Sequence, residues 1–145
     1  MEIKFKKVHT VTDLLISVLI IAAGAGLYFV NAGLGIVIAV CGLLLLLFYQ
    51  AGYKRVGENI LLRKTALDVA YACRPSLKDF LDGKDVEPEL ASAENSGVVR
   101  LEVWFNRAES VAYAQLFDFS NYTYQEATPL VELRGERAAR LIAKL

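Results

Sequence analysis

The order of apolar and polar positions divides this chain into a continuous apolar stretch and a patterned remainder. From Leu14 to Tyr49 the sequence carries no charged side chain. One helix of about 36 residues would be about 54 Å long, well beyond a hydrocarbon core of about 30 Å. Asn31 and Gly33 accept the backbone conformations that a tight reversal needs. The pattern therefore predicts a transmembrane helical hairpin over 14–49, with spans over 14–30 and 32–49.

Small residues recur within both predicted spans. Helices in lipid associate through close packing of small side chains, since apolar side chains gain nothing by leaving apolar lipid. Ala22 and Gly26 lie four residues apart on the first span, and Gly35, Ala39 and Gly42 share one stripe of the second. We predict that these five residues pack the two helices together. The alternative is that they reflect the general abundance of Gly and Ala in such helices.

Basic residues flank the apolar stretch on both sides, whereas the predicted turn carries no charge. Lys4, Lys6 and Lys7 precede the first span. By the positive-inside rule, both termini are predicted to be cytoplasmic, with the protein in the inner (cytoplasmic) membrane. A cleaved signal peptide is the alternative for the first span, but a second apolar segment follows it at once. The basic residues after the hairpin are predicted to contact lipid headgroups, namely Lys54, Arg55, Arg63 and Lys64.

Beyond Tyr49 the period of the pattern changes. Leu67 and Ala70 recur at helical spacing, whereas apolar and polar residues alternate strictly from Val99 to Phe105. Ala138 and Leu141 belong to a later apolar stripe with helical spacing. The predicted elements are helices over 59–73 and 76–82, a surface loop over 84–97, strands over 98–106, 111–119, 122–127 and 130–134, and a helix over 135–145.

Length and composition fit this division. The chain has 145 residues, 55% of them hydrophobic, and a mean hydropathy of +0.38. We predict a membrane protein with a basic cytoplasmic segment over 1–13, the two-helix hairpin over 14–49, and a small cytoplasmic α+β domain over 50–145. This domain is expected to contain an antiparallel β-meander and a C-terminal helix. The pattern does not distinguish an open sheet from a barrel.

The residue types that chemistry would need are sparse. His9 is the single histidine and has no neighbouring ligand residues, so it is a poor zinc ligand and a poor general base. Cys41 and Cys73 lack metal-ligand spacing. The formal net charge of zero gives no general attraction to nucleic acid. We therefore expect no enzyme, no metal, no cofactor and no nucleic acid.

Aromatic residues are concentrated in the predicted strands. Trp104, Tyr122 and Tyr124 are the predicted partner-binding residues, because exposed aromatic side chains are enriched at interfaces. For Trp104 the alternative is burial beneath a helix such as the last one. The first hypothesis is a non-enzymatic, membrane-anchored interaction module, an accessory or scaffold subunit with lipids and a protein partner or its own copies as partners. The second is a signal-gated effector whose hairpins oligomerise and permeabilise the membrane.

Overall fold

The computed structural model describes residues 3–91 and 98–145, which form two compact units. One unit comprises Lys4–Leu61 and the other Leu62–Leu145 together with Ile3. The sequence placed a boundary near Tyr49, about twelve residues earlier. The chain after the second helix instead returns to pair with the N-terminal strand, so it belongs with the helices.

The first unit is a helical hairpin with a two-stranded ribbon at one end. Helix α1 begins after Thr10, whose hydroxyl oxygen accepts a hydrogen bond from the Asp13 N–H at 3.2 Å. The second helix begins after Asn31, whose Oδ1 accepts from the Leu34 N–H at 3.2 Å, so the reversal occurs where the sequence predicted it. The elements are β1 (Phe5–Val8), α1 (Val11–Tyr28), α2 (Ala32–Phe48) and β2 (Gly52–Arg55), with β1 antiparallel to β2.

In the described residues of the second unit, an open antiparallel sheet is accompanied by two α-helices. Within the described residues the strand order is β3-β4-β5-β6, and β7 also pairs with β5. The two N-terminal helices, the antiparallel sheet and the C-terminal helix agree with the prediction. The elements are β3 (Arg63–Ala70), a 3₁₀ turn (Tyr71–Cys73), α3 (Arg74–Leu81), β4 (Val98–Asn106), β5 (Val111–Ser120), β6 (Thr123–Glu126), β7 (Val131–Arg134) and α4 (Glu136–Lys144).

One face of this sheet carries the core of the second unit. Alternate residues of a strand point to opposite faces, so the helices cover only every second strand position. The buried core combines residues from β4 and β5 with the apolar stripes of α3 and α4. Its fully buried members include Val99, Leu101, Val103, Leu116, Phe80 and Leu141.

The predicted helix over 59–73 is wrong. Residues Arg63–Ala70 form strand β3, which pairs with β4 along its whole length, from Arg63 opposite Phe105 to Ala70 opposite Val98. The alternation in β3 is weak because only Val69 in this edge strand is buried. Local helical spacing was therefore outweighed by the ladder with β4. Pro75 occupies the first turn of α3, where its missing N–H is not needed.

The meander is interrupted at its last strand. Strand β7 pairs with β5, so β6 and β7 lie end to end along the same side of β5. Pro129 cannot donate a hydrogen bond, and Thr128 turns inward so that its Oγ1 accepts from the Leu116 N–H at 3.1 Å. The predicted loop over 84–97 is described only as far as Ala91, whose carbonyl accepts from the Ala70 N–H at 2.9 Å. Residues 92–97 lie outside the described residues.

Candidate functional site

The two helices of the hairpin meet at glycines. A Cβ atom placed on Gly35 would lie 2.6 Å from the Gly24 carbonyl oxygen and 2.6 Å from Tyr28 Cα. A Cβ on Gly24 would lie 2.8 Å from Ala39 Cα, and one on Gly42 would lie 2.8 Å from Ile21 Cγ1. Backbone atoms of one helix therefore occupy the space that side chains would need on the other.

The predicted packing residues fall on different faces. Gly35 and Gly42 are buried at the contact, and Ala39 lies against Gly24. Gly26, by contrast, has nothing within 4 Å of its Cβ position, and Ala22 is exposed, so the predicted face of the first helix is wrong. The whole stretch from Ala22 to Gly26 consists of small residues. The spacing of small residues in the sequence therefore could not identify Gly24 as the residue that contacts the second helix.

Burial in the hairpin is the reverse of that in a water-soluble helix pair. The buried residues of α1 are Asp13, Ser17 and Gly24, whereas its large apolar side chains, such as Leu19 at 59%, are exposed. Helix α1 is long and apolar enough to cross a membrane, and α2 is a shorter apolar helix of 17 residues. An open groove on α2 is lined by Cys41, Leu44, Leu45, Phe48 and Tyr49.

Asp13 joins the two ends of the hairpin. Its side chain is almost fully buried, and Oδ2 accepts a hydrogen bond from the Ala51 N–H at 3.0 Å. The Thr10 hydroxyl donates to Oδ1 at 2.9 Å, and His9 Nδ1 lies 4.0 Å from Oδ2. The carboxylate thus ties the start of α1 to the residue just before β2. His9 lies beside this structural contact.

The four residues predicted to contact lipid headgroups are divided between the two units. Lys54 and Arg55 lie on β2 in the first unit, whereas Arg63 and Lys64 lie on β3 in the second. Lys64 is engaged within its own sheet, since Nζ lies 5.0 Å from the centre of the Trp104 ring and 3.7 Å from a carboxylate oxygen of Glu102. Only Lys54 and Arg55 directly follow the apolar helices.

Trp104 is not a surface residue in this structure. It is 8% exposed and packs beneath the Lys64 ammonium group. The register pairs Trp104 with Tyr113, so its side chain lies on the sheet face opposite Val103 and the core helices. The alternative of burial is therefore confirmed, but the last helix is not the element that covers Trp104. Contact of Trp104 with a partner would require the covering residues to move.

The β5–β6 turn presents the most exposed aromatic side chain in the described residues. Ser120 pairs with Thr123, which leaves Asn121 and Tyr122 as a two-residue turn with φ of 52° and 62°. Positive φ at both positions is the geometry of a type I′ turn, which favours Asn and Gly. Tyr122 is 95% exposed, and its bulky side chain is unfavourable at this backbone angle.

Two further aromatic residues lie directly behind the turn. Phe119 and Tyr124 are paired across β5 and β6, with ring centroids 5.1 Å apart. The Arg100 guanidinium lies 4.0 Å from the centre of the Tyr124 ring and donates to Asp68 at 3.1 Å. Phe119 is 51% exposed and was not among the predicted binding residues. The strand register, which pairs Phe119 with Tyr124, would have identified Phe119 as a candidate binding residue. We call Phe119, Tyr122 and Tyr124 the aromatic tip.

A bidentate ion pair fixes the base of this hairpin. Arg74 Nε and Nη2 donate to the two carboxylate oxygens of Asp118 at 2.8 and 2.9 Å. These hydrogen bonds hold the pKa of Asp118 below its ordinary value of 3.8, because they favour the charged form of the carboxyl. Helix α3 is thereby joined to the end of β5 next to the aromatic tip.

Comparison with protein-family models, with curated proteins and with solved structures gave no match. The candidate site therefore follows from its geometry alone. In the described part of the chain, no three His, Cys, Asp or Glu residues are grouped in a way that could hold a metal ion. Cys41 and Cys73 are both free thiols.

Proposed function

We propose that this protein is a non-enzymatic, membrane-anchored interaction module, an accessory or scaffold subunit. The observation that carries the membrane assignment is the reversed burial of the hairpin. Polar and glycine residues are buried in α1, while large leucine, isoleucine and valine side chains are exposed. Removing one such side chain from water contributes about 1.5–3 kcal/mol. A hairpin with this surface is stabilised by lipid and not by water.

The orientation follows from charge. Lys4, Lys6 and Lys7 precede α1, and Lys54 and Arg55 follow α2, whereas the turn between the helices is uncharged. The proposal therefore places both termini in the cytoplasm, at the inner membrane.

The aromatic tip is the proposed partner-binding surface. Tyr122 occupies a backbone conformation that costs about 1–2 kcal/mol for an L-residue, and folding gains little from a side chain that is 95% exposed. Such strain is found mainly where function requires it. We propose that Tyr122 enters an apolar pocket of a protein partner, with Phe119 and Tyr124 covering the surrounding area.

The test is a crosslinking pull-down of the full-length protein from its own membrane, comparing wild type with Tyr122→Asn. Asn keeps the turn because it tolerates positive φ. The matched control is Tyr71→Asn, since Tyr71 is also an exposed aromatic residue, at 58%, but lies outside the tip. A stoichiometric partner retained by the control and lost by Tyr122→Asn would support the proposal. Equal capture by both variants would contradict it.

The effector hypothesis makes a different prediction for the same experiment. Recovery of self-crosslinked oligomers alone would favour hairpins that assemble into a pore. One observation argues against such assembly. Gly24, Gly35 and Gly42 already form the contact between the two helices of one hairpin. Assembly through these glycines would first require the hairpin to open.

A further inference from the structure

We propose that the ribbon formed by β1 and β2 binds the phosphate group of an anionic phospholipid. This inference rests on the proposed membrane anchoring and names the lipid class that the ribbon recognises. We call this two-stranded element the basic ribbon, and its cations are Lys4, Lys6, Lys7, Lys54 and Arg55.

The register places like charges side by side. Lys6 lies directly opposite Lys54, and directly opposed residues in an antiparallel pair have Cβ atoms about 4.5–5.5 Å apart. The Val56 N–H donates to the Lys4 carbonyl at 2.9 Å, which extends the pairing and adds Lys4 to the same face. Three ammonium groups therefore share one face of a short ribbon. Like charges at this spacing oppose pairing unless an anion lies between them.

The directly opposed lysines of this face, Lys6 and Lys54, have no carboxylate partner among the described residues. Asp13 is buried and accepts its hydrogen bonds from Ala51 and Thr10, and Glu58 lies 3.6 Å from Arg55. The Lys54 ammonium donates to Asn59 Oδ1 at 2.9 Å, which is a neutral partner. Lys6 forms no ion pair with a described residue. An anion from outside the chain would complete this arrangement.

The place of the ribbon favours a lipid over a free anion. Strand β1 ends at Val8 and α1 begins at Val11, while α2 ends at Phe48 and β2 begins at Gly52. The Asp13–Ala51 hydrogen bond holds these junctions together. If the helices span the hydrocarbon core, the ribbon lies where the headgroups begin. The opposite face carries Phe5 and Tyr53 beside Lys7 and Arg55, and aromatic and basic residues are the usual interfacial combination.

The test counts lipids bound to the full-length protein in dodecylmaltoside micelles by native mass spectrometry. Dioleoyl phosphatidylglycerol is titrated against dioleoyl phosphatidylcholine, for wild type and for the double variant Lys6→Gln/Lys54→Gln. We expect phosphatidylglycerol to bind more tightly to wild type, with affinity reduced about fivefold for each lysine removed. Phosphatidylcholine binding should not change. The control Lys78→Gln/Lys144→Gln removes two exposed lysines of α3 and α4 and should behave as wild type.

Three results would overturn the lipid assignment. The first is equal affinity for the two lipids, and the second is an equal loss of phosphatidylglycerol affinity in the control variant. The third is displacement of phosphatidylglycerol by inorganic phosphate at equal concentration, which would indicate a site for free phosphate. Alkaline carbonate extraction separates this failure from failure of the anchoring proposal. A chain that stays in the membrane pellet but shows no lipid preference refutes only the ribbon. A chain that is extracted refutes the anchoring.

Discussion

The substitution Gly35→Ala tests the helix contact at its closest point. The added Cβ would lie 2.6 Å from both the Gly24 carbonyl oxygen and Tyr28 Cα. Ordinary contacts of a Cβ begin at 3.4 Å. Both neighbours are backbone atoms, so neither can rotate away as a side chain would. The helices must separate by about 1 Å, a displacement large enough to forfeit a quarter to a half of each affected dispersion contact.

The expected cost is about 1–3 kcal/mol, the usual range for forcing extra atoms into a closely packed contact. Gly24→Ala should cost a similar amount, because its Cβ would lie 2.8 Å from the Gly35 carbonyl oxygen and 2.8 Å from Ala39 Cα. Both substitutions add a methyl group to the same helix contact. Once the first has separated the helices, the second lowers the free energy of unfolding by a smaller amount. The double variant should therefore lose less than the sum of the single variants.

The assay measures opening of the hairpin. Cysteines at Val11 and Tyr49, near the same end of the hairpin, carry a donor and an acceptor dye in a chain whose native cysteines are replaced by alanine. Sodium dodecyl sulfate is titrated into mixed micelles, and the loss of energy transfer gives the midpoint. Gly35→Ala should lower the midpoint, whereas Gly26→Ala, with nothing within 4 Å, should leave it unchanged. Equal midpoints for wild type and Gly35→Ala would refute the packing described here.

Two further predictions concern the second unit. Because Arg74 lowers the folded-state pKa of Asp118, the pair stabilises the fold above the ordinary carboxyl pKa of 3.8 and loses this effect as the pH falls through the folded-state value. In denaturant unfolding at pH 7, wild type should be more stable than Asp118→Asn by about 1 kcal/mol or less. This difference in unfolding free energy should disappear below about pH 4, and a constant difference down to pH 2 would contradict the prediction. Tyr122→Asn should raise the unfolding free energy by up to about 1 kcal/mol, because Asn accepts the φ of 62° that Tyr disfavours. A loss of stability would show that the Tyr122 ring serves the fold.

The apolar stretch made the hairpin predictable. No charged residue interrupts Leu14–Tyr49, and Asn31 is the position that caps α2. The face on which the helices meet was not predictable, because five successive small residues offered several equivalent stripes. The backbone approach at Gly24 selects one of them.

The sheet was predictable where burial imposes alternation. Strand β4 alternates strictly because the residues of one face, such as Val99 and Leu101, are fully buried. Strand β3 lies at the sheet edge with only Val69 buried, so burial constrains its sequence less, and the spacing of Leu67 and Ala70 matched a helix by chance. Trp104 is buried although it lies on the sheet face opposite the core helices, and this burial depends on tertiary packing such as the Lys64 side chain above its ring, which alternation alone does not reveal. The aromatic tip was partly predictable, since Tyr122 and Tyr124 flank a turn, but pairing with Phe119 required the register.

Membrane insertion of the hairpin is the central claim, and native Cys41 allows a direct measurement. This thiol is exposed in the middle of α2. A nitroxide attached to Cys41 in the Cys73→Ala chain is reconstituted into liposomes, and its collisions with oxygen and with a water-soluble nickel chelate are compared by power-saturation electron paramagnetic resonance. Lipid burial predicts high accessibility to oxygen and low accessibility to the chelate. High accessibility to the chelate would place the middle of the hairpin in water and contradict the account.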